Sequence, residues 1–452
     1  MAEKQDKAVL MTEGPIGKQI IGFALPVFWG NLFQQLYNMV DSIIVGNFCG
    51  KDALAAVSSA GHLIFMLNGL IFGIFAGAGV VVSKYYGAKD RENVQNTIHT
   101  TLAMGLIAGV LLTALGVGLT PQILVWMNTP ASVLPNSVLY FRIYFMGSMA
   151  MVLYNTGTGI FQAVGDSKHP LYYLIASSAV NVVLDLLFVW GFKWGIAGAA
   201  LATVIAQTVS CVLAFAKLIR SEETYRVHFR KIKIHKYLIG QILRMGIPSG
   251  IQNSVIGFAN IIVQSNINAF GEAAVAGCGT YSKIEGFAFL PITSFSMALT
   301  TFTGQNSGAK KYDRVKKGAK FGIFGGMICA EVIGLIMFTF MPIFVSAFNR
   351  EADVIAYGTL NARTCTLFYC LLAFSHCAAG LMRGAGKAYV PMVIMLMCWC
   401  LIRVTYITIV TNLVPDIQTI FWAYPITWSL SSICFLWYIL KGGWAKPQEK
   451  FV

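Results

Sequence analysis

The sequence predicts an all-α integral membrane protein with twelve transmembrane helices in two related six-helix lobes. Its composition is 56% apolar and only 12% charged, about half the charged share of a typical soluble domain. A Gly-Ala-Lys tripeptide at 87–89 recurs at 308–310, and a Gly-Gly-Pro pattern within 159–170 recurs within 380–391. Both matches have an offset of 221 residues. The chain is therefore predicted to contain two copies of one unit, an arrangement typical of secondary transporters.

Each copy contains six apolar windows of roughly 20 residues or more, the length needed to cross a bilayer. The predicted lobes are residues 1–216 and 237–452, joined by a basic linker at 217–236. Pro26 and Pro248 lie near the starts of the first and seventh spans and predict a bend or tilt in both helices. The predicted spans are 17–46, 54–82, 94–119, 138–163, 171–190 and 196–216, followed by 238–268, 275–303, 321–347, 357–381, 389–412 and 417–440.

The Lys and Arg residues outside the spans predict the orientation of the chain. All except Lys51, Lys193 and Arg350 lie on the side that carries both termini. The positive-inside rule therefore predicts cytoplasmic termini in the cell (inner or plasma) membrane. Because six is an even number, both copies cross the membrane in the same direction, and their pseudo-twofold axis is predicted to lie along the membrane normal.

Charge and cysteine content exclude several partner classes. Loop asymmetry accounts for most of the net charge of +14, so no nucleic-acid partner is expected. The basic linker would be held near the surface by anionic headgroups, or it is a solvated linker that obeys the topology rule. The ten cysteines contain no CxxC pair and are interpreted as packing residues, so no disulfide or cofactor is expected. We expect a monomer in the lipid bilayer, without a cleavable signal peptide in residues 1–16.

Two aspartates inside the first half are the strongest candidates for a functional site. Asp41 and Asp185 each lie five to seven residues before the outer end of a predicted span, about 10 Å below the surface at 1.5 Å per residue. Asn181 lies one turn from Asp185 on the same helical face, and Thr203 in the sixth span reaches a comparable depth. Two carboxylates, an amide and a hydroxyl at one depth predict a site for a proton or for a small hard cation such as Na⁺.

The second copy serves as an internal control for this site. At the 221-residue offset the four positions hold Ile262, Ile402, Tyr406 and Tyr424. The second copy is thus predicted to build the same fold without these polar groups. The architecture does not require them, which favours a functional role.

The second half has its own charged residues near mid-membrane, Lys283, Glu285, Glu331 and Arg403. Their opposite signs favour a structural ion-pair network, and a second ion or substrate site is the alternative. Lys283 and Glu285 are two residues apart and do not face each other on a helix, so their partners are expected on other spans.

Four stretches together resemble the multidrug and toxic compound extrusion (MATE) transporters. They are VDSIIVGNFCGKDALAAVS at 40–58, FTGQNSGAKKYDRV at 302–315, GIFQAVGDSKHP at 159–170 and GLMRGAGKAYVP at 380–391. The resemblance implies two six-helix lobes around a central cavity and export of organic, often cationic compounds in exchange for H⁺ or Na⁺. It also implies that Asp41, Asn181, Asp185 and Thr203 match the cation site in the N-lobe of one branch. The predicted seventh and tenth spans contain no Asp or Glu, so the C-lobe coupling of other members is not expected.

The resemblance and the positions together suggest residues that contact the substrate. These are Gln34, Gln35, Tyr37, Asn155 and Ser177. The closest alternative function is a flippase for lipid-linked or polysaccharide precursors. An ion channel would need symmetric pore rings, whereas the acids occur in one repeat. A membrane enzyme would need a catalytic motif, and no HExxH, GxSxG or Walker sequence is present.

Overall fold

Helices follow the predicted spans wherever the chain is described. The computed structural model describes residues 10–48, 69, 71–126, 129 and 133–445, and no strand occurs in these ranges. The helices of the first half are α1 (Ile16–Phe48), α2 (Ile71–Gly87), α3 (Arg91–Trp126), α4 (Leu134–Met146 and Ser148–Ala163), α5 (Lys168–Gly191) and α6 (Gly195–Arg220). Those of the second half are α7 (Lys236–Asn268), α8 (Glu272–Gly308), α9 (Tyr312–Ser346), α10 (Ala352–Gly384), α11 (Tyr389–Leu413) and α12 (Ile417–Leu440).

The helices have the length and composition of membrane spans. Among the described residues, eight helices (α3, α5, α6 and α8–α12) are long and apolar enough to cross a membrane, and the two segments of α4, bent by 49°, make a ninth. Helices α1 and α7 have 33 residues each, and both contain a proline. The prediction of an all-α, multi-span membrane protein is confirmed. The beginning of the second predicted span, and the part of the 40–58 motif beyond Phe48, lie outside the described residues.

The sequence repeat is visible in the backbone. Lys89 and Lys310 adopt positive φ angles of 59° and 58°, and Gly165 and Gly386 adopt 90° and 80°. A positive φ is uncommon for a residue other than glycine. The preceding helix ends with the same two backbone hydrogen bonds at all four positions. The N–H of the residue itself donates to the carbonyl three residues earlier, and the N–H of the next residue donates to the carbonyl five residues before it. The two copies therefore end α2 and α8, and α4 and α10, by the same local geometry.

Helices α4 and α10 are interrupted at matching positions. The break in α4 lies at Gly147, and α10 passes through a 3₁₀ turn at Thr366–Phe368. A π-helical turn at Leu186–Gly191 follows Asp185 in α5, and another at Leu396–Ile402 precedes Arg403 in α11. The two π turns are not equivalent under the repeat, since 186–191 corresponds to 407–412. Such turns occur frequently at functional sites.

The chain forms two compact units, the N unit (Met1–Leu10 and Trp29–Gly246) and the C unit (Met11–Phe28 and Ile247–Val452). The N unit has two buried apolar clusters and the C unit has one. The chain crosses between the units three times: between Leu10 and Met11, inside α1 and inside α7. None of these crossings lies in the basic linker. The predicted lobe boundaries at 216 and 237 stay a prediction.

Candidate functional site

Asp41 of α1 and Asp185 of α5 lie side by side in the N unit. Their carboxyl groups are within hydrogen-bonding reach of each other. Asp185 is completely buried, and Asp41 is half-buried. The Oδ1 atom of each is buried without a hydrogen-bond partner in the part of the chain that the structure describes. Because two like charges at this separation repel each other, a proton or a cation between them would stabilise the pair.

Asn181 fixes the orientation of Asp185. Its amide is assigned so that both neighbours are satisfied: the nitrogen donates to Oδ2 of Asp185 at 2.7 Å, and the oxygen accepts from the backbone N–H of Thr203 at 3.2 Å. The Thr203 hydroxyl donates to the carbonyl of Ala199 at 3.1 Å. Asn181 and Asp185 are one helical turn apart, so their contact is the one that the sequence spacing predicts. The structure thus brings all four predicted cation-site residues together.

Two tyrosines lie near the acid pair, and a third stacks on one of them. The phenol of Tyr37, predicted as a substrate contact, lies within hydrogen-bonding reach of the Thr203 hydroxyl and close to both aspartates. Tyr140 and Tyr144 of α4 stack with ring centroids 6.3 Å apart, and buried Tyr140 lies near the same carboxyls. Neither Tyr140 nor Tyr144 was predicted from the sequence. A signal was present, since Tyr140 lies six residues from the start of α4, at about the same 10 Å depth.

Two further polar groups extend the site along its helices. The Ser178 hydroxyl and the Gln207 Oε1 atom are buried and have no hydrogen-bond partner within the described ranges. Ser178 lies three residues before Asn181, and Gln207 lies four residues after Thr203, so each shares a helical face with a member of the site. Neither was predicted, because single polar residues in a span are common and their facing is not visible in the sequence.

Two of the remaining predicted substrate residues make hydrogen bonds within their own helices. Asn155 donates to the carbonyl of Met151 at 2.8 Å, and Ser177 donates to that of Leu174 at 3.0 Å, so both satisfy carbonyls of their own helices. Gln34 is exposed and Gln35 is half-buried on α1. A role for these four residues in substrate binding stays a prediction.

Glu285 and Arg403 meet in a polar and aromatic cluster of the C unit. Glu285 Oε1 accepts from the phenols of Tyr281 at 3.0 Å and Tyr369 at 3.2 Å, and Arg403 is near enough to interact with it electrostatically. Arg403 is only 2% exposed. Its guanidinium donates to Thr427 Oγ1 at 2.9 Å and lies 4.4 Å from the ring centroid of Tyr424. The two opposite charges therefore lie in one cluster without forming an ion pair.

Lys283 and Glu331 lie apart from that cluster. Lys283 is exposed, because it points away from Glu285 on the same helix. Glu331 Oε2 accepts from the backbone N–H of Cys370 at 3.0 Å. Throughout the described residues, no Lys or Arg nitrogen lies within 4.0 Å of the Glu285 or Glu331 carboxylate. The four side chains thus form no continuous chain of ion pairs there, and a second ion site among them stays a hypothesis.

The contact of Glu331 with Cys370 predicts a structural effect. Cys370 lies in the first turn of the helical segment that follows the break in α10, where N–H groups have no partner within that segment. An unpaired backbone group is costly in an apolar environment. We expect Glu331→Leu to lower the free energy of unfolding by about 1–3 kcal/mol. Glu331→Gln, which keeps an acceptor oxygen, should lose less. Thermal unfolding of the purified variants measures both, and equal losses would contradict this role of the carboxylate.

Comparisons with known proteins agree with this architecture. The MatE family model matches twice, over residues 26–187 and 248–409. The probable multidrug resistance protein YoeA of Bacillus subtilis is 30% identical over 438 residues, which is 94% of either chain. The multidrug export protein MepA of Staphylococcus aureus is 21% identical over 386 residues, 85% of either chain.

Solved structures share the fold. An outward-facing multidrug resistance MATE family transporter superposes with a TM-score of 0.90 at 23% identity, covering 97% of this chain and 98% of that chain. A MOP superfamily transporter from Pyrococcus furiosus gives a TM-score of 0.91, also at 23% identity, covering 99% of this chain and all of that chain. Both halves match one family model, and full-length relatives are multidrug transporters rather than enzymes. The chain therefore belongs to the MatE family of MATE multidrug transporters.

Proposed function

We propose that this protein is a secondary active antiporter, which exports organic, often cationic compounds in exchange for H⁺ or Na⁺ by alternating access. In this proposal the ion binds between Asp41 and Asp185. The observation that carries the proposal is the contact of two carboxyl groups that each have a buried, unpartnered oxygen. The equivalent positions in the second copy are Ile262 and Tyr406, so the pair is specific to the N unit.

The donor atoms fit the chemistry of these two ions. A single proton shared by the two carboxyls is enough to remove their repulsion. Na⁺ is a hard cation that prefers oxygen ligands, and the carboxylates, the Thr203 hydroxyl and the Tyr37 phenol supply oxygen. Asn181 acts as a positioning residue in this scheme, because its amide holds Oδ2 of Asp185 and leaves Oδ1 for the ion.

Ion binding changes the charge of the site, and this change is the proposed basis of coupling. Without an ion the pair attracts a cationic substrate, and with an ion it is closer to neutral and releases it. Gln34, Gln35, Tyr37, Asn155 and Ser177 are the proposed substrate contacts. One charge that moves through 100 mV supplies about 2.3 kcal/mol, before any concentration gradient is added. We further propose a monomer in the plasma membrane with both termini in the cytoplasm.

Transport in proteoliposomes tests the proposal. The purified full-length chain is reconstituted, and accumulation of a fluorescent organic cation such as ethidium is followed under a pH gradient or a Na⁺ gradient imposed separately. We expect one gradient to drive uphill movement of the dye and an ionophore that collapses it to stop that movement. If neither gradient moves any compound of a broad dye and drug panel, the antiport proposal is wrong.

A further inference from the structure

An apolar groove of about 220 Å³ lies in the N unit between α3, α4 and α6. Leu102 and Leu106 of α3, Leu153 of α4 and Phe215 of α6 contribute to its walls. The lining is completed by Phe229 and Ile232, which come from the basic segment between α6 and α7. Leu106 is 37% exposed and Phe229 is 60% exposed, so the groove is open to its surroundings.

The basic segment is fastened along the beginning of α3. Gln95 donates to the carbonyl of Arg226 at 3.0 Å, and the His228 N–H donates to Nε2 of His99 at 3.0 Å. Thr100 accepts from the His235 N–H at 3.2 Å and donates to the Lys233 carbonyl at 3.3 Å. Upstream, Tyr225 and Val227 are buried in an apolar cluster with residues of α3, α4 and α6. The segment therefore has a fixed position beside the groove.

Three cations alternate with the two apolar side chains that enter the groove. Arg230, Lys231 and Lys233 are exposed, and they flank Phe229 and Ile232 in the sequence. None of the three has a carboxylate within 4.0 Å in the described portion of the chain. The stretch 229–233 thus places two apolar side chains in the groove and three positive charges beside it.

The groove begins next to the basic segment and continues along α3. Leu102 lies two residues beyond Thr100, which bonds the segment, or about 3 Å further along the helix axis, and Leu106 lies one turn beyond Leu102. The cations lie on the segment that follows the last residue of α6, at the same helix ends as Arg91 and Arg220. An acyl chain in the groove would therefore place its headgroup beside the cations.

We propose that the groove and Arg230, Lys231 and Lys233 form a binding site for one anionic phospholipid. Part of one acyl chain lies against Leu102, Leu106 and Phe215, and the phosphate lies against the three cations. The volume is below the roughly 300–1,000 Å³ of a site that encloses a drug-sized molecule, so it suits part of an acyl chain rather than a transported compound. The negative headgroup complements the charge beside the groove.

Lipid binding to the purified full-length protein tests this site. Native mass spectrometry compares retention of phosphatidylglycerol with that of phosphatidylcholine carrying the same acyl chains. We expect the wild type to retain phosphatidylglycerol preferentially. The variant Arg230→Gln/Lys231→Gln/Lys233→Gln should lose roughly 100-fold in phosphatidylglycerol affinity, since each cation near the surface contributes about fivefold. Val212 of α6 also lines the groove, so Val212→Trp, which fills it, should lower retention while the cations remain.

A matched control removes equal charge elsewhere. Lys316, Lys317 and Lys320 are exposed at the beginning of α9 in the C unit, and changing all three to Gln should alter phosphatidylglycerol retention by less than about twofold. Inorganic phosphate at the same concentration should not displace the lipid. Equal retention of both lipids by the wild type would overturn the proposal. It would also be overturned by equal losses in the two triple variants, or by unchanged binding in Val212→Trp.

Discussion

Replacing Asp185 with Asn is expected to lower the rate of gradient-driven export sharply while downhill movement of the substrate continues. Asn keeps the shape of the side chain but cannot bind a proton or neutralise a cation at Oδ1. Without this carboxylate the ion would no longer favour one conformational state over the other. An ion that binds two states equally cannot shift the equilibrium between them. The gradient-driven rate should therefore fall by about 5- to 150-fold, the range that corresponds to typical coupling free energies. Dye accumulation in proteoliposomes with an imposed gradient measures this loss.

Two further variants complete that experiment. Asp41→Asn should give a loss of the same kind, and the double variant should add little, because both residues contact one ion. Asp416→Asn is the matched control, since Asp416 is an exposed helix cap that accepts from the Gln418 N–H at 3.0 Å. Equal yield and the same monodisperse elution would show that the variants fold. Full coupling in Asp185→Asn would show that the ion binds elsewhere.

Replacing Gly380 with Ala is expected to cause the largest loss of stability of any single methyl group added to α10. A Cβ atom at Gly380 would lie 2.3 Å from the backbone oxygen of Ser296 on α8. This helix crossing is also held by hydrogen bonds from the Ser296 hydroxyl to the His376 carbonyl at 2.7 Å and from Thr300 Oγ1 to the Gly380 carbonyl at 3.1 Å. Overpacking of this kind costs about 1–3 kcal/mol or more, since backbone on both sides must move. Thermal unfolding in detergent measures the loss.

The repeat supplies the control for this prediction. Gly159 in α4 is equivalent to Gly380, but a Cβ atom there would lie 3.7 Å from the Phe75 oxygen, an ordinary contact. The free energy of unfolding of Gly159→Ala should therefore lie within about 0.5 kcal/mol of that of the wild type. Similar melting curves for Gly380→Ala and Gly159→Ala would mean that the α8–α10 crossing relaxes more easily than its geometry indicates.

The positions of the helices were predictable because lipid permits few alternatives. A long apolar run must satisfy its own backbone hydrogen bonds, so the window 171–190 corresponds to a helix at Lys168–Gly191. The breaks in α4 and α10 were not predicted. Gly147 is a weak sequence signal for the break in α4, whereas its counterpart Phe368 gives no signal for the break in α10. Glu331 of another helix contacts the backbone just after this 3₁₀ turn, and that contact cannot be read from the sequence.

The acid pair was predictable from depth and from the asymmetry of the repeat. Counting residues to the helix end places Asp41 and Asp185 at one level, and the structure brings them into contact. Tyr140 was missed because the face that α4 turns toward the acids depends on packing. The same limit applies to the C unit, where the sequence shows four charges but not that Glu285 and Arg403 share a cluster while Lys283 and Glu331 lie apart from it. The functional role of each residue stays a prediction.

Direct measurement of ion displacement by the purified protein is the decisive experiment. Saturating organic cation is added to the wild type in weakly buffered solution with Na⁺ present, and released protons and Na⁺ are counted. We expect about one ion per chain to leave the wild type, because substrate and ion compete for one carboxylate pair. The Asp41→Asn/Asp185→Asn variant should release none. Equal release from wild type and variant, at equal substrate occupancy, would contradict an ion site at these aspartates.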